Sequence, residues 1–145
     1  MVDPQLLAER SAAAMWADDA ASQALGMTLD EVRPGYARLS MTVRSDMVNG
    51  HAICHGGFVF ALADSAFAFA CNSYNRSAVA QACDIVFVAA VRLDDVLVAE
   101  AVERTRYGRN GVYDVTVRRD GEVVAEFRGR SREIGGTLVS SDPQT

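Results

Sequence analysis

One carboxylate stands inside an apolar run: Asp64 interrupts the stretch from Phe58 to Ala70, in which nearly every other residue is Ala, Phe, Leu or Val. Burying a charge without partners costs several kcal/mol. Asp64 is therefore either held by hydrogen bonds or an arginine from elsewhere in the chain, or kept for chemistry as a nucleophile or general base. Eight residues before it stand Gly56 and Gly57, where a polar loop turns into the apolar run. A helix starting there points free N–H groups and the positive end of its dipole outward, and glycine lets a ligand come close to the backbone. Gly56, or else Gly57, can thus hold a developing oxyanion. The structural alternative is that the two glycines only turn the chain into the helix. A positioned carboxylate and an oxyanion donor are the parts that hydrolysis of an activated carbonyl requires.

Other groupings are weaker. Cys54 and His55 are adjacent, but neighbours in an extended chain point opposite ways, so a thiol–imidazole pair is not expected. His51 and His55 lack a clear third ligand, which makes a poor zinc site, and no metal is expected. His51 reads best as a loop histidine bonded to backbone. Asp84, in a second apolar stretch, is another candidate buried acid, with a structural hydrogen bond as its expected fate.

Geometry constrains Gly56 and Asp64. On one helix, eight residues are about 12 Å of rise and about 80° of residual rotation. A carbonyl carbon lies about 3–3.5 Å from its attacker while its oxygen lies about 2.7–3.1 Å from the donor, so the two groups can be only about 7 Å apart. One subunit does not close that gap. A second helix running antiparallel across a two-fold axis near Phe60 would bring Gly56 of one chain to Asp64 of the other and make two identical sites.

These residues must be placed by the elements around them. The run from about Gly57 to Asn72 has no apolar stripe because apolar residues occupy every side, the mark of a helix buried all round. Before it, Asp3-Pro4 starts a helix, Asp18-Asp19 can start a second and Gly26 caps it, so residues 4–25 form one or two helices. After the Pro34-Gly35 turn, residues 36–44 alternate with period two. Ala37, Leu39, Met41 and Val43 should face the core. A loop over 45–56 leads into the helix. Strands follow at 78–91, apolar on both faces and so covered or at a subunit boundary, then at 96–107, 112–119 and 122–134. Residues 108–111 form one hairpin loop and Asp120-Gly121 a second, tight turn. Residues 137–145 read as a frayed tail. The result is α+β: a five-stranded antiparallel sheet wrapped on one long helix, in a single domain over 1–145 with an N-terminal helical segment over 1–28.

Composition agrees. With 145 residues, half of them hydrophobic, the chain can bury a core without staples. A formal charge of −5 argues against a nucleic-acid partner. Three cysteines without a Cys-x-x-Cys pair suit free thiols. The opening residues lack a basic start followed by an apolar block, and Asp64 breaks the central run short of the ~20 residues a bilayer requires, so a soluble, cytoplasmic protein without membrane association is expected.

The strings Asn49-Gly50-His51, His55-Gly56-Gly57 and Leu62-Ala63-Asp64 occur in that order, with Ala24-Leu25-Gly26, Gly111-Val112-Tyr113-Asp114, residues 127–131 and Ile134-Gly135-Gly136. Over nearly its whole length the chain resembles the hotdog-fold acyl-CoA thioesterases, in the branch that hydrolyses phenylacetyl- and hydroxyphenylacetyl-CoA in phenylacetate degradation. The resemblance implies the same composite site, no metal or redox cofactor, coenzyme A only as part of the substrate, and a homo-oligomer with the dimer as catalytic unit and a tetramer as the expected assembly. It implies that Asn49 positions the nucleophile or water, that His55 supports the donor loop or the leaving thiolate, and that Ser65 fills a hydrogen-bonding slot where the family often has Thr. Whether Asp64 attacks directly or activates water stays open. Phe60, Ala61 and Phe67 are candidates for the acyl pocket. Among Arg104, Arg106, Arg109, Arg128, Arg130 and Arg132, we expect Arg109, Arg128 and Arg130 to contact the nucleotide, against the reading of a solvated charged face. Two alternatives remain: a hotdog dehydratase or hydratase on 3-hydroxyacyl thioesters, with His55 as base, and a non-catalytic acyl-CoA-binding module.

Overall fold

The computed structural model describes residues 2–140. A six-stranded antiparallel sheet, ordered β1-β2-β4-β5-β6-β3, curls around one helix. In chain order the elements are α1 (Pro4–Asp18), α2 (Ala20–Ala24), β1 (Thr28–Arg33), β2 (Tyr36–Thr42), α3 (Gly56–Cys71), β3 (Ala78–Phe87), β4 (Val96–Tyr107), β5 (Asn110–Arg119) and β6 (Glu122–Glu133). None of these helices is long and apolar enough to cross a membrane.

The ends of the elements follow local chemistry. Asp3 caps α1 by accepting from the Leu6 N–H, Pro4 occupies the first turn, and Asp19 caps α2 in the same way through Ser22. Gly26 follows α2 at φ +73°, as a left-handed stop requires. Asp120 and Gly121, both at positive φ, make the β5–β6 turn expected of Asp-Gly. The β4–β5 turn is tighter than expected, because Asn110 already pairs with Tyr107 and leaves only Gly108 and Arg109 in the loop.

The core lies between α3 and the concave face of the sheet. Ala37, Leu39, Met41 and Val43 are at most 1% exposed, as the alternation in residues 36–44 requires. They meet Leu97, Ala99 and Ala101 of β4, Val115 and Val117 of β5, and Ala125 and Phe127 of β6. From α3 come Val59, Leu62, Ala63, Ala66, Phe67, Phe69 and Ala70. Fully burying each Leu or Phe of this set contributes about 1.5–3 kcal/mol.

Other expectations need correction. The sheet has six strands: Thr28–Arg33 pairs with β2 as an edge strand whose only fully buried residue is Val32, and a register shift between Leu29 and Glu31 hides its alternation. The strand expected over 78–91 ends at Phe87, because Val88 and Ala89 both donate to the Val124 carbonyl and the chain bulges away from β6. The tail does not fray from 137: the buried Asn75 side chain accepts from the Leu138 and Val139 N–H groups and donates to the Val139 carbonyl. Residues 141–145 lie outside the described residues.

Nor is α3 covered on every side within one chain. Gly57 is exposed and Ala61, Asp64 and Ala68 are half-buried, at spacings of one helical face. The sheet wraps the helix without closing around it, and β3, the strand beside the opening, is itself a sheet edge.

Candidate functional site

The open face of α3 is where the residues with chemistry lie. His55 is the N-cap, its Nδ1 accepting the Gly57 N–H at 3.1 Å, and its carbonyl accepts the Phe58 N–H. That leaves the Gly56 N–H without an acceptor among the described residues. Of the two glycines, Gly56 is the one whose donor is free, at the positive end of a 16-residue helix.

A cleft of about 430 Å³ opens there. Gly56, Ile53, Cys54 and Val59 form one side, and Phe87, Val88 and Val91 the other. The Cys54 N–H donates to the Val91 carbonyl at 2.7 Å, which ties the loop before α3 to the segment after β3. Asn49 shapes that loop: its Oδ1 accepts from the His51 and Ile53 N–H groups, and Ala52 turns the corner at φ +60°. His51 is a loop residue, held to Asn49 through its own backbone N–H. The Cys54 thiol reaches the His55 carbonyl and not the imidazole, so the two side chains do not pair.

Asp64 is half-buried two turns along the same helix, and no hydrogen bond or ion pair reaches its carboxylate among the described residues. Burial alone pushes its pKa above the ordinary carboxylate value. Its charge is felt by Cys83 of β3 and by Cys71, whose thiol burial pushes up to about 12. The arginine or hydrogen-bond clamp that would make Asp64 a structural acid is therefore absent within the described chain. Ser65, the next residue, is engaged elsewhere: its hydroxyl meets the Ser22 hydroxyl at 2.8 Å, and Ser22 bonds Asp19, so Ser65 fastens α2 onto α3 directly behind the acid.

The opposite wall runs along the concave face of β3. Cys83 lies within reach of the Asp64 charge, and Phe87, four residues on, sits against Gly56. Four strand residues span about 13 Å and eight helical residues about 12 Å, so β3 runs alongside α3 between the two groups. The donor and the acid of one chain thus stand at opposite ends of this open face.

Several expected site residues are placed differently. Phe67 does not line an open pocket: it is 1% exposed, and its ring fills the space beside Gly129 between Tyr113 and Phe127. Phe60 packs edge-on against Phe127, and Ala61 lies on the open stripe. Asp84 is exposed and is not a buried acid, because it falls on the convex face of the edge strand opposite Arg128. Arg128, Arg130 and Arg132 do share the exposed face of β6. Arg128, however, is a bidentate partner of Asp114 at 2.6 and 2.9 Å, with Arg104 on the same carboxylate. These contacts, the Arg128 hydrogen bond foremost, hold the Asp114 pKa below its usual value. Arg106 is paired with Glu103 and stacked on Tyr74. Arg109 and Arg130 have no ion-pair partner among the described residues, which leaves their charge available. Residues 87–91 were read only as the end of the 78–91 strand, and their place in the cleft wall escaped the sequence reading, because it follows from the chain leaving β6 after Phe87. Among the described residues no cluster could hold a metal ion.

The family model described as the thioesterase superfamily matches residues 51–126. The acyl-coenzyme A thioesterase PaaI of Escherichia coli K12 is 46% identical over 131 residues, covering 90% of this chain and 94% of that protein. The structure of the E. coli PaaI protein from the phenylacetic acid degradation operon superposes with a TM-score of 0.91 at 43% identity, over 93% of this chain and 99% of that one. A mutant form of phenylacetic acid degradation protein PaaI from Thermus thermophilus superposes at 0.76 with 36% identity, over 78% of this chain and 97% of that one.

Proposed function

Since the chain belongs to the thioesterase superfamily and shares 46% identity with an acyl-CoA thioesterase along 90% of its length, we propose that it is an acyl-CoA thioesterase acting on a short or aromatic acyl group, phenylacetyl- or hydroxyphenylacetyl-CoA foremost. One observation carries the assignment of the site. A carboxylate without a partner lies on the same open helix face whose first residue offers a free N–H to an apolar cleft.

In this reading the thioester carbonyl oxygen accepts from the Gly56 N–H, where the helix dipole stabilises the charge that develops as the carbonyl carbon becomes tetrahedral. The Asp64 carboxylate either attacks that carbon, expelling the coenzyme A thiolate and forming a mixed anhydride that water then hydrolyses to free acid and carboxylate, or takes a proton from the water that attacks it, with the same thiolate leaving. Because the two groups of one chain are about 12 Å apart along the helix, each site takes Gly56 from one subunit and Asp64 from the other. The apolar edge around β3, with Val79, Val86, Phe87 and Val88 each about half exposed, supports that pairing. Asn49 shapes the donor loop and His55 holds Gly57 so that Gly56 alone is free. Ser65 acts by anchoring α2 behind the acid. Arg109 and Arg130, which carry no ion pair among the described residues, are the arginines we assign to the coenzyme A phosphates, since Arg128 would have to leave Asp114. The enzyme works as a cytoplasmic homo-oligomer, dimer or tetramer, without metal or redox cofactor.

The dehydratase alternative requires His55 to act as base, and its Nδ1 is spent as the helix cap. Release of free coenzyme A thiol from a panel of acyl-CoAs, beside an enoyl-CoA hydration assay, tests the proposal. Phenylacetyl-CoA should be hydrolysed with a higher kcat/KM than palmitoyl-CoA. Asp64→Asn should lose hydrolysis by orders of magnitude while still binding acyl-CoA. Full activity in Asp64→Asn removes the carboxylate from the mechanism.

A further inference from the structure

Phe87 is the least expected feature of the cleft. It is 53% exposed, yet its ring lies so close to Gly56 that a Cβ on Gly56 would meet three ring atoms at 2.9, 3.2 and 3.4 Å. Carbon atoms in contact prefer about 3.5–4.0 Å, so the ring already occupies the place of a side chain at position 56. It comes from the concave face of β3, where Phe87 pairs with Ala125. Immediately after it the backbone is pinned twice, by the Val88 and Ala89 N–H groups on the Val124 carbonyl and by the Val91 carbonyl on the Cys54 N–H. The wall of the cleft is therefore fixed as backbone, and the ring is its variable part.

Resting on the thioesterase reading above, we propose that Phe87 sets the upper size of the acyl group. A carbonyl oxygen bound at the Gly56 N–H puts the carbonyl carbon about 3–4 Å from that nitrogen, and the first carbons of the acyl chain must then run along whatever flanks Gly56. On this side that is the Phe87 ring, with Val59 and Ile53 across the cleft. The ring offers a flat apolar face to an aromatic acyl group and closes the space to anything longer in that direction. An apolar pocket wall discriminates through size, and removing or adding ring volume shifts the preference between bulky and compact substrates. The residue acts through contact with substrate and moves no proton.

The test uses the full chain and compares kcat/KM for a compact acyl-CoA (butyryl) with that for a bulky one (naphthylacetyl) in wild type, Phe87→Ala, Phe87→Leu and Phe87→Trp, with the assembly of each checked by size-exclusion chromatography. The bulky-to-compact ratio should rise about tenfold or more in Phe87→Ala, rise less in Phe87→Leu, and fall below wild type in Phe87→Trp. If Phe87→Ala does not stay folded, the Leu and Trp variants still move the ratio in opposite directions. A ratio that stays flat, or a loss shared equally by both substrates, overturns the assignment and leaves Phe87 as packing for Gly56 or for an interface. A wild-type protein that hydrolyses neither of these acyl-CoAs nor phenylacetyl-CoA overturns the thioesterase reading, and this inference with it.

Discussion

Two inactive variants should restore activity when mixed. Gly56→Pro removes the donor N–H at the first helical position, and His55 before it, at φ −61° and ψ 131°, already has the extended conformation a following proline needs. Asp64→Ala removes the carboxylate. Because Gly56 and Asp64 sit on one uninterrupted helix about 12 Å apart, against a span of about 7 Å that a reacting carbonyl allows, neither variant can have a working site as a homodimer. In a heterodimer one site carries both defects and the other carries neither. Random reassociation of equal amounts gives about half heterodimers, each with one of its two sites intact, so about a quarter of wild-type activity should return. The assay is thiol release after the two proteins are mixed, partly unfolded and refolded together, with heterodimers isolated by two different tags. Proline at 56 also presses on Phe87, so Gly56→Pro is paired with Phe87→Leu in a parallel mixture to relieve that contact. Verified heterodimers no more active than either parent would refute the shared site and require both groups to act within one chain.

Three further outcomes follow from the structure. Burial raises the Asp64 pKa, so its contribution to stability is fully present below the ordinary carboxylate value and is lost as pH rises through the raised one. Asp64→Asn should accordingly melt above wild type at neutral pH, with the gap closing in acid, while wild-type turnover falls as pH drops through the same raised value. Equal melting at every pH would contradict the desolvation argument. Gly129→Ala places a methyl group 2.7 Å from two atoms of the Phe67 ring, itself held between Tyr113 and Phe127. It should cost about 1–3 kcal/mol in urea unfolding, and less in a Phe67→Leu background; an unchanged midpoint would show the ring free to move. Asn75→Ala loses three hydrogen bonds to Leu138 and Val139 and puts alanine at φ +59°. It should cost about 2 kcal/mol and admit protease to the C-terminal segment first; protection equal to wild type would mean the tail is held by something else.

Much of the fold was legible because it rests on local rules. The alternation from Ala37 to Val43, the Asp120-Gly121 turn and the apolar run of α3 each depend on a few adjacent residues. Strand β1 was not legible, since Asp30, Glu31 and Arg33 give it the composition of a loop and its partner across the sheet supplies the pairing. Asp64 was visible as an acid out of place, and the free donor of Gly56 was narrowed to one of two glycines. What chose between them was the His55 imidazole turning back onto Gly57, a side-chain orientation that spacing does not encode. Phe67 and Phe60 looked equivalent as apolar helix residues, and only the curl of the sheet sends one wholly into the core. Phe87 was out of reach for the same reason, because its contact with Gly56 joins two segments through the bulge after β3.

The two ends of the sheet also determine how far assembly can go. At the β1 end, Glu31 is tied to Arg33 and Arg38, and the Gln5 side chain of α1 donates to the Val32 carbonyl, so that rim is charged and partly occupied. At the β3 end Val79, Val86, Phe87 and Val88 stand about half exposed, so that rim is mainly apolar. A ribbon with two sticky margins can add copies without limit, whereas one with a single sticky margin uses it up at the first meeting. If the proposed shared site forms where two β3 edges meet, edge-to-edge growth ends at two chains. In that proposal a larger assembly would use another surface, and the convex side of the sheet, where the arginines of β6 lie, is the broad one left exposed.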